Sequence, residues 1–107
     1  MKFISDITVG RSMTIETLNT CRQKINTDIK IKILKFFSEQ PPQTYSGSTV
    51  IDIFEHKNTH IPFRSYTANN YFLWNDYHIY YFEHYDLKLT DDFIKYVLSL
   101  NKNDFYA

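Results

Sequence analysis

Glycine is nearly absent from this sequence, and the shortage excludes more functions than any motif in it supports. With only Gly10 and Gly47 in 107 residues, neither a phosphate-cradling glycine loop nor a dinucleotide fingerprint can be written, since both need several glycines where the backbone approaches phosphate. A G-x-S-x-G elbow and a C-x-x-C pair are missing as well. Cys21 is the single cysteine, so no internal disulfide can form, and its apolar helical spacing suits a small core residue better than a nucleophile. There is no Gly/Ser linker, repeat or low-complexity tract, which reads as a single domain over residues 1–107. No apolar run approaches the roughly 20 residues of a membrane span, and MKFISDITVG lacks a signal-peptide core. The expectation is a cytoplasmic chain that does not enter a membrane.

Charge of either sign is also not in excess. Twelve Lys and Arg balance twelve Asp and Glu, and a neutral domain lacks the broad positive field of nucleic-acid binders, which argues against direct nucleic-acid contact. The balance conceals a split: residues 1–35 hold seven basic against three acidic side chains, and the rest holds five against nine. An acidic second part can orient the domain against a basic partner; equally, it is what solvated faces look like. What the sequence does have is aromatics, nine Tyr and nine Phe. Aromatic anchors dominate interface energetics, although AT-rich codon usage and ordinary cores enrich the same residues.

Phe3, Ser5, Ile7 and Val9 alternate loosely as a first strand ending at Gly10. Beyond it, Thr14, Leu18, Cys21 and Ile25 predict a helix from about Met13 to Ile25, with Glu16 in its first turn. The segment from Asp28 to Glu39 fits both periods. Ile29, Ile31 and Ile33 alternate with lysines, while Ile29, Ile33, Phe36 and Phe37 fit a helical face, and the abrupt stop before Pro41 favours the helix. Thr49 to Phe54 and the stretch HIPFRSYT read as paired strands, with Pro62 on an edge because it has no N–H to give. YFLW and YHIYYFEHY, separated by Asn75-Asp76, read as an aromatic hairpin. Thr90 then caps a helix carrying Asp91 and Asp92 in its first turn and Phe93, Tyr96, Val97 and Leu100 on one side. Together these predict an α+β fold: an antiparallel sheet of about four to five strands, with two N-terminal helices and one C-terminal helix packed on one face.

In that hairpin Trp74 faces Tyr77, Phe72 faces Ile79 and Asn70 faces Tyr81 on the core side, leaving Tyr71, Leu73, His78, Tyr80, Phe82 and His84 on the wetter side. A one-residue register shift swaps the sides. Tyr combines a large apolar area with a polar tip, so a Tyr/His face suits an interface. The candidate partner-binding residues are Tyr71, His78, Tyr80 and His84, with the carboxylates Glu55, Asp76, Glu83 and Asp86 around them. No catalytic residue, metal ligand or cofactor is assigned. His56 and His60 have i, i+4 spacing but straddle a predicted turn with Glu55 as the sole nearby carboxylate. His78 and His84 on one strand lie roughly 20 Å apart, too far to grip one atom. The enzymatic alternative is a small metal-independent ribonuclease using two histidines as general acid and base with Lys57.

The stretch YHIYYFEHYDLKLTDDFIKYVLSL, an aromatic segment running into a capped helix, together with a compact Tyr/Phe-rich build that turns acidic, resembles the small immunity proteins of bacterial toxin systems. The resemblance implies a non-catalytic inhibitor that occludes the active site of one cognate toxin domain, plausibly a nuclease, its carboxylates standing in for an anionic substrate. It transfers no residue position by position. A phage-encoded inhibitor or an adaptor subunit has the same build, and the oligomeric state stays open.

Overall fold

The computed structural model describes residues 2–5, 15–51 and 60–100. Its elements are β1 (Lys2–Phe3), α1 (Ile15–Thr20), α2 (Thr27–Glu39), β2 (Thr44–Ile51), β3 (His60–Ala68), β4 (Phe72–Asn75), α3 (Asp76–Tyr85) and α4 (Asp91–Ser99). The strands form one sheet in the order β1-β4-β3-β2. β1 is parallel to β4, whereas β4–β3 and β3–β2 are antiparallel. The fold is α+β, but the sheet is mixed, and two of the helices follow it in the chain; the expected all-antiparallel sheet with two N-terminal helices and one C-terminal helix is overturned.

The largest correction concerns YHIYYFEHY, which is the helix α3 and not a strand. The hairpin turn lies earlier. Asn69 and Asn70 both take the left-handed conformation (φ 57° and 52°) and the Tyr71 N–H donates to the Ala68 carbonyl at 3.1 Å, so β3 and β4 are joined by the primed turn that matches strand twist. Asn75 instead ends β4 in an extended conformation (φ −123°, ψ 170°), and its N–H donates to Nδ1 of His78 at 2.9 Å. That bond satisfies a donor that strand pairing would otherwise have to use, and it starts the helix. Asp76 in the first turn suits the helix dipole. None of the pairs expected across Asn75-Asp76 exists, including Trp74 with Tyr77 and Tyr71 with Tyr80. α3 ends where Asp86 turns left-handed (φ 56°) and the Leu87 N–H closes onto the Tyr81 carbonyl at 3.1 Å.

The turn itself is testable. A β-branched residue is strained at positive φ by about 1–2 kcal/mol, so Asn70→Val is expected to lower the melting temperature by roughly 4–15 °C for a domain of this size. Asn70→Gly, which has no such strain, should stay within a few degrees of the parent, and equal melting of all three would remove the turn from the account.

Other segments differ in detail. The first strand is described only at Lys2–Phe3, and residues 6–9 of the predicted strand lie outside the described residues. The first helix covers Ile15–Thr20 and stops short of Ile25, because Arg22 bridges to Leu87 and the Gln23 N–H donates to the Asp86 carbonyl at 2.8 Å. The ambiguous segment is helical: Asn26 Oδ1 accepts from the Asp28 N–H at 2.8 Å, and Ile33, Phe36 and Phe37 are buried. The strand expected from Thr49 begins at Thr44. Pro62 sits in β3, an interior strand, not on an edge. It is tolerated there because the last β3–β4 pair is Ser65 with Asn75, so on that side Pro62 has no neighbouring strand to which an N–H could donate. The helix after Thr90 forms with Phe93 and Val97 buried, and Thr90 stands at its N-cap position, but the Thr90 side chain makes no capping hydrogen bond among the described residues.

Packing explains the layers. α2 and α4 cover the face carrying Phe72 and Trp74: Phe36, Phe37 and Phe93 bring ring centroids within 5.5–5.9 Å of Trp74, and Phe93 lies 5.2 Å from Phe72. Tyr66 stacks parallel to Trp74 at 5.9 Å and 5°. Each such aromatic pair adds about 0.5–1.5 kcal/mol beyond the area it buries. By register the opposite face carries Ser65, Thr67 and Leu73, all half-buried, with Phe3 beside Leu73. It is not the tyrosine and histidine surface that a longer hairpin predicts.

The N-terminal segment is pinned at several points. The Thr90 N–H donates to the Ile4 carbonyl at 2.7 Å, Ser5 Oγ donates to the Lys88 carbonyl at 2.8 Å, and Lys2 pairs with Asp92 at 3.1 Å. The Thr90 side chain, with help from Lys2 and the Phe93 N–H and against slight desolvation, holds the Asp92 carboxyl below the ordinary carboxylate range. A folded-state pKa below the unfolded one gives stability that is present above the unfolded value and lost as pH falls through the folded one. Asp92→Asn is therefore expected to melt slightly lower than the parent at neutral pH, with the gap closing at pH values below those of ordinary carboxylates. A gap that persists at low pH contradicts it.

Candidate functional site

α3 organises the candidate site because it faces three ways. Asp76, Tyr77, His78, Tyr81 and Phe82 are buried, Ile79 and Tyr80 are half-buried, and Glu83 and His84 are exposed. On a helix, Tyr80, Glu83 and His84 stand three and four residues apart and share one outward arc. The Tyr80 and His84 rings lie 4.5 Å apart at 45°, and Tyr80 meets Tyr81 edge-on at 5.4 Å. Tyr80 is thus held as a fixed aromatic ledge between a carboxylate and an imidazole, a rigid group of the kind that loses little entropy on binding.

Beside this arc, between the C-terminal part of α2, the linker after it, β3 and α3, runs a groove of about 460 Å3. Leu34, Phe37 and Ile79 supply apolar lining, while Arg64, Tyr66 and Glu83 supply its polar groups. Beneath it lies the buried Asp76 carboxylate, which accepts four hydrogen bonds. Asp76 Oδ2 accepts from the Arg64 backbone N–H at 3.1 Å and from Arg64 Nε at 2.8 Å; Oδ1 accepts from Arg64 Nη2 at 3.1 Å and from the Tyr66 hydroxyl at 2.8 Å. A forked guanidinium and carboxylate is the strong, geometrically specific form of ion pair. It fixes the first turn of α3 to β3 and sets one wall of the groove.

The eight residues expected to meet a partner are scattered by this arrangement. Tyr80, Glu83 and His84 share the outward arc. Asp76 is buried and holds Arg64 and Tyr66, so its carboxylate is used inside the protein. His78 is fully buried against Tyr77 and Phe3, with ring centroids 4.1 and 5.6 Å away, and its Nδ1 accepts the Asn75 N–H. Asp86 caps α3 and pairs with Lys30 at 2.7 Å. Tyr71 is exposed at the tip of the β3–β4 hairpin, its ring edge-on to Phe72 at 4.8 Å, and is separated from α3 by the length of β4. Glu55 lies outside the described residues.

Sequence reasoning missed Arg64, Leu34, Phe37 and Ile79. Arg64 and Tyr66 at alternate positions of one strand carried a signal, since a charged residue two before a buried tyrosine needs a counter-charge. His78 and His84 do not share a cleft, one being sealed in the core and the other facing outward. His56 and Lys57 lie outside the described residues. Among the described residues no three His, Cys, Asp or Glu side chains converge to hold a metal ion, and no helix is long and apolar enough to cross a membrane.

No protein-family model, curated protein or solved structure matches the chain.

Proposed function

We propose that this chain is a non-catalytic protein-binding inhibitor acting in the cytoplasm on one protein partner, as an immunity protein acts on a toxin domain. Its docking surface is the outward arc of α3 with the adjoining groove. The observation that carries the reading is the ring pair at 4.5 Å between half-buried Tyr80 and exposed His84, on a helix whose other sides are anchored by the core and by the Arg64–Asp76 fork. A rigid amphipathic aromatic beside a partly apolar groove suits an interface centre, and Glu83, which makes no ion pair among the described residues, suits its polar rim. Occlusion is the mechanism this reading implies: a partner seated on α3 has its own surface covered by a folded domain and needs no chemistry from it.

The test uses a photoreactive phenylalanine at position 80 in the living cell, followed by identification of the crosslinked protein and titration with that protein in purified form. Each buried anchor is worth about 2 kcal/mol on truncation, or roughly thirtyfold in Kd. Tyr80→Ala is expected to weaken binding by that factor and Tyr80→Ala/His84→Ala by more, with the fold unchanged by circular dichroism. An affinity that moves less than about threefold in the double variant refutes the placement, and cleavage of RNA by the purified chain refutes the non-catalytic reading in favour of the ribonuclease alternative.

A further inference from the structure

The charge balance of the groove beside α3 selects what enters it. Arg64 contributes a positive charge to the wall, but Asp76 answers that charge from beneath at 2.8 and 3.1 Å. Glu83 lies on the rim, exposed, and makes no ion pair or hydrogen bond among the described residues. The groove thus joins an apolar wall of Leu34, Phe37 and Ile79 to polar groups that include Ser38 and Gln40, and the described charges on it leave Glu83 as the one without an ion-pair partner among the described residues. Tyr80 stands three residues before Glu83 on the same helix, outside the groove's own lining, with its ring against His84.

We propose that the groove receives an arginine of the partner together with a neighbouring large apolar side chain, an inference that rests on the protein-binding reading above. The apolar side chain fills the space between Leu34, Phe37 and Ile79. The guanidinium meets the Glu83 carboxylate and lies along Tyr80. Arginine suits this mouth better than lysine because its planar fork pairs with both oxygens of a carboxylate and it packs against aromatic rings. A volume of about 460 Å3 holds two such side chains. An acidic segment is rejected, because its carboxylate would oppose Glu83 with Arg64 already neutralised.

The test titrates uniformly 15N-labelled protein with N-acetyl-leucyl-arginine amide, watching backbone amide shifts. Two control ligands replace arginine by citrulline, which keeps the shape and loses the charge, or by glutamate. Saturable shifts in the millimolar range at Leu34, Arg64, Ile79 and Glu83 are expected with the arginine ligand. The citrulline ligand should bind at least threefold more weakly and the glutamate ligand more weakly still. Glu83→Gln, an exposed substitution that leaves the core untouched, should abolish the preference for arginine over citrulline. Equal binding of all three ligands, shifts centred away from the groove, an undiminished preference in Glu83→Gln, or no saturable shift overturns the inference. The crosslinking at position 80 reads the other claim separately. A crosslinked partner without arginine selectivity removes this inference alone, whereas arginine selectivity without a crosslinked partner supports the groove chemistry and removes the inhibitor reading.

Discussion

Asp76→Ala is expected to destabilise the protein by about 3 kcal/mol, because four hydrogen bonds end on this one carboxylate. Its removal takes away the acceptor that the Tyr66 hydroxyl holds at 2.8 Å, where Tyr66 is 5% exposed, and deleting one partner of a buried hydrogen bond costs about 1–3 kcal/mol. It also removes the forked carboxylate that Arg64 holds at 2.8 and 3.1 Å. Arg64 is 37% exposed at its side chain, so water recovers part of that loss, and the estimate stays at the low end of the range for breaking a buried pair. Against a total stability of roughly 5–15 kcal/mol the change is large. Asp76→Asn keeps an accepting oxygen and should lose about half as much. Urea unfolding reads both as a fall in the midpoint with an unchanged slope. A midpoint for Asp76→Ala equivalent to less than about 0.5 kcal/mol of lost stability would show that the fork adds nothing to the fold. Because this carboxylate also holds the wall of the groove, the destabilised variant is expected to lose the response to the arginine ligand as well.

Trp74→Ala is expected to cost more, about 4 kcal/mol. Trp74 is fully buried, contacts Phe36, Phe37 and Phe93, and stacks on Tyr66, so its removal leaves a cavity at the junction of α2, α4 and the sheet. The indole Nε1 is a buried donor without a hydrogen-bond partner among the described residues. Trp74→Phe removes that unsatisfied donor together with part of the volume, so the two effects oppose, and the loss should be under about 1.5 kcal/mol. Finding the phenylalanine variant as unstable as the alanine one would mean that the indole nitrogen is bonded after all. Since Tyr66 touches both Trp74 and Asp76, the Trp74 and Asp76 substitutions should not add, and a double-mutant cycle will give a coupling of about 0.5–3 kcal/mol.

The wrong reading of YHIYYFEHY has a specific physical origin. Almost every position in it is aromatic, aliphatic or histidine, so the run satisfies a period of two and a period of 3.6 equally, and the β preference of Tyr and Phe reflects packing on a half-buried sheet more than any backbone bias. Two asparagine-led turns then compete for the hairpin. Asn69-Asn70 wins because both residues tolerate positive φ there, which leaves Asn75 to act as the residue before a helix. The candidate site suffered the same fate. Residues expected to line one sheet face instead point around a helix, which buries His78, keeps Tyr80 and His84 together, and sends Asp76 inward.

Local rules therefore determined the parts of this protein where one signal stood alone: β3, the helix α4 after Thr90, and the membership of Phe72, Trp74, Phe93 and Val97 in the core; at α2 two periods competed and the stop before the prolines tipped the reading to a helix. Only the tertiary structure decided that the aromatic run coils, that β1 lies parallel to β4, and that Arg64 and Asp76, twelve residues apart, meet in a fork. The reason is that these outcomes are settled by long-range partners. An N–H of Asn75 finding an imidazole, a strand finding its neighbour across seventy residues and a carboxylate finding a guanidinium are energies of contact, and a linear pattern of apolar and polar residues does not record which contacts will form.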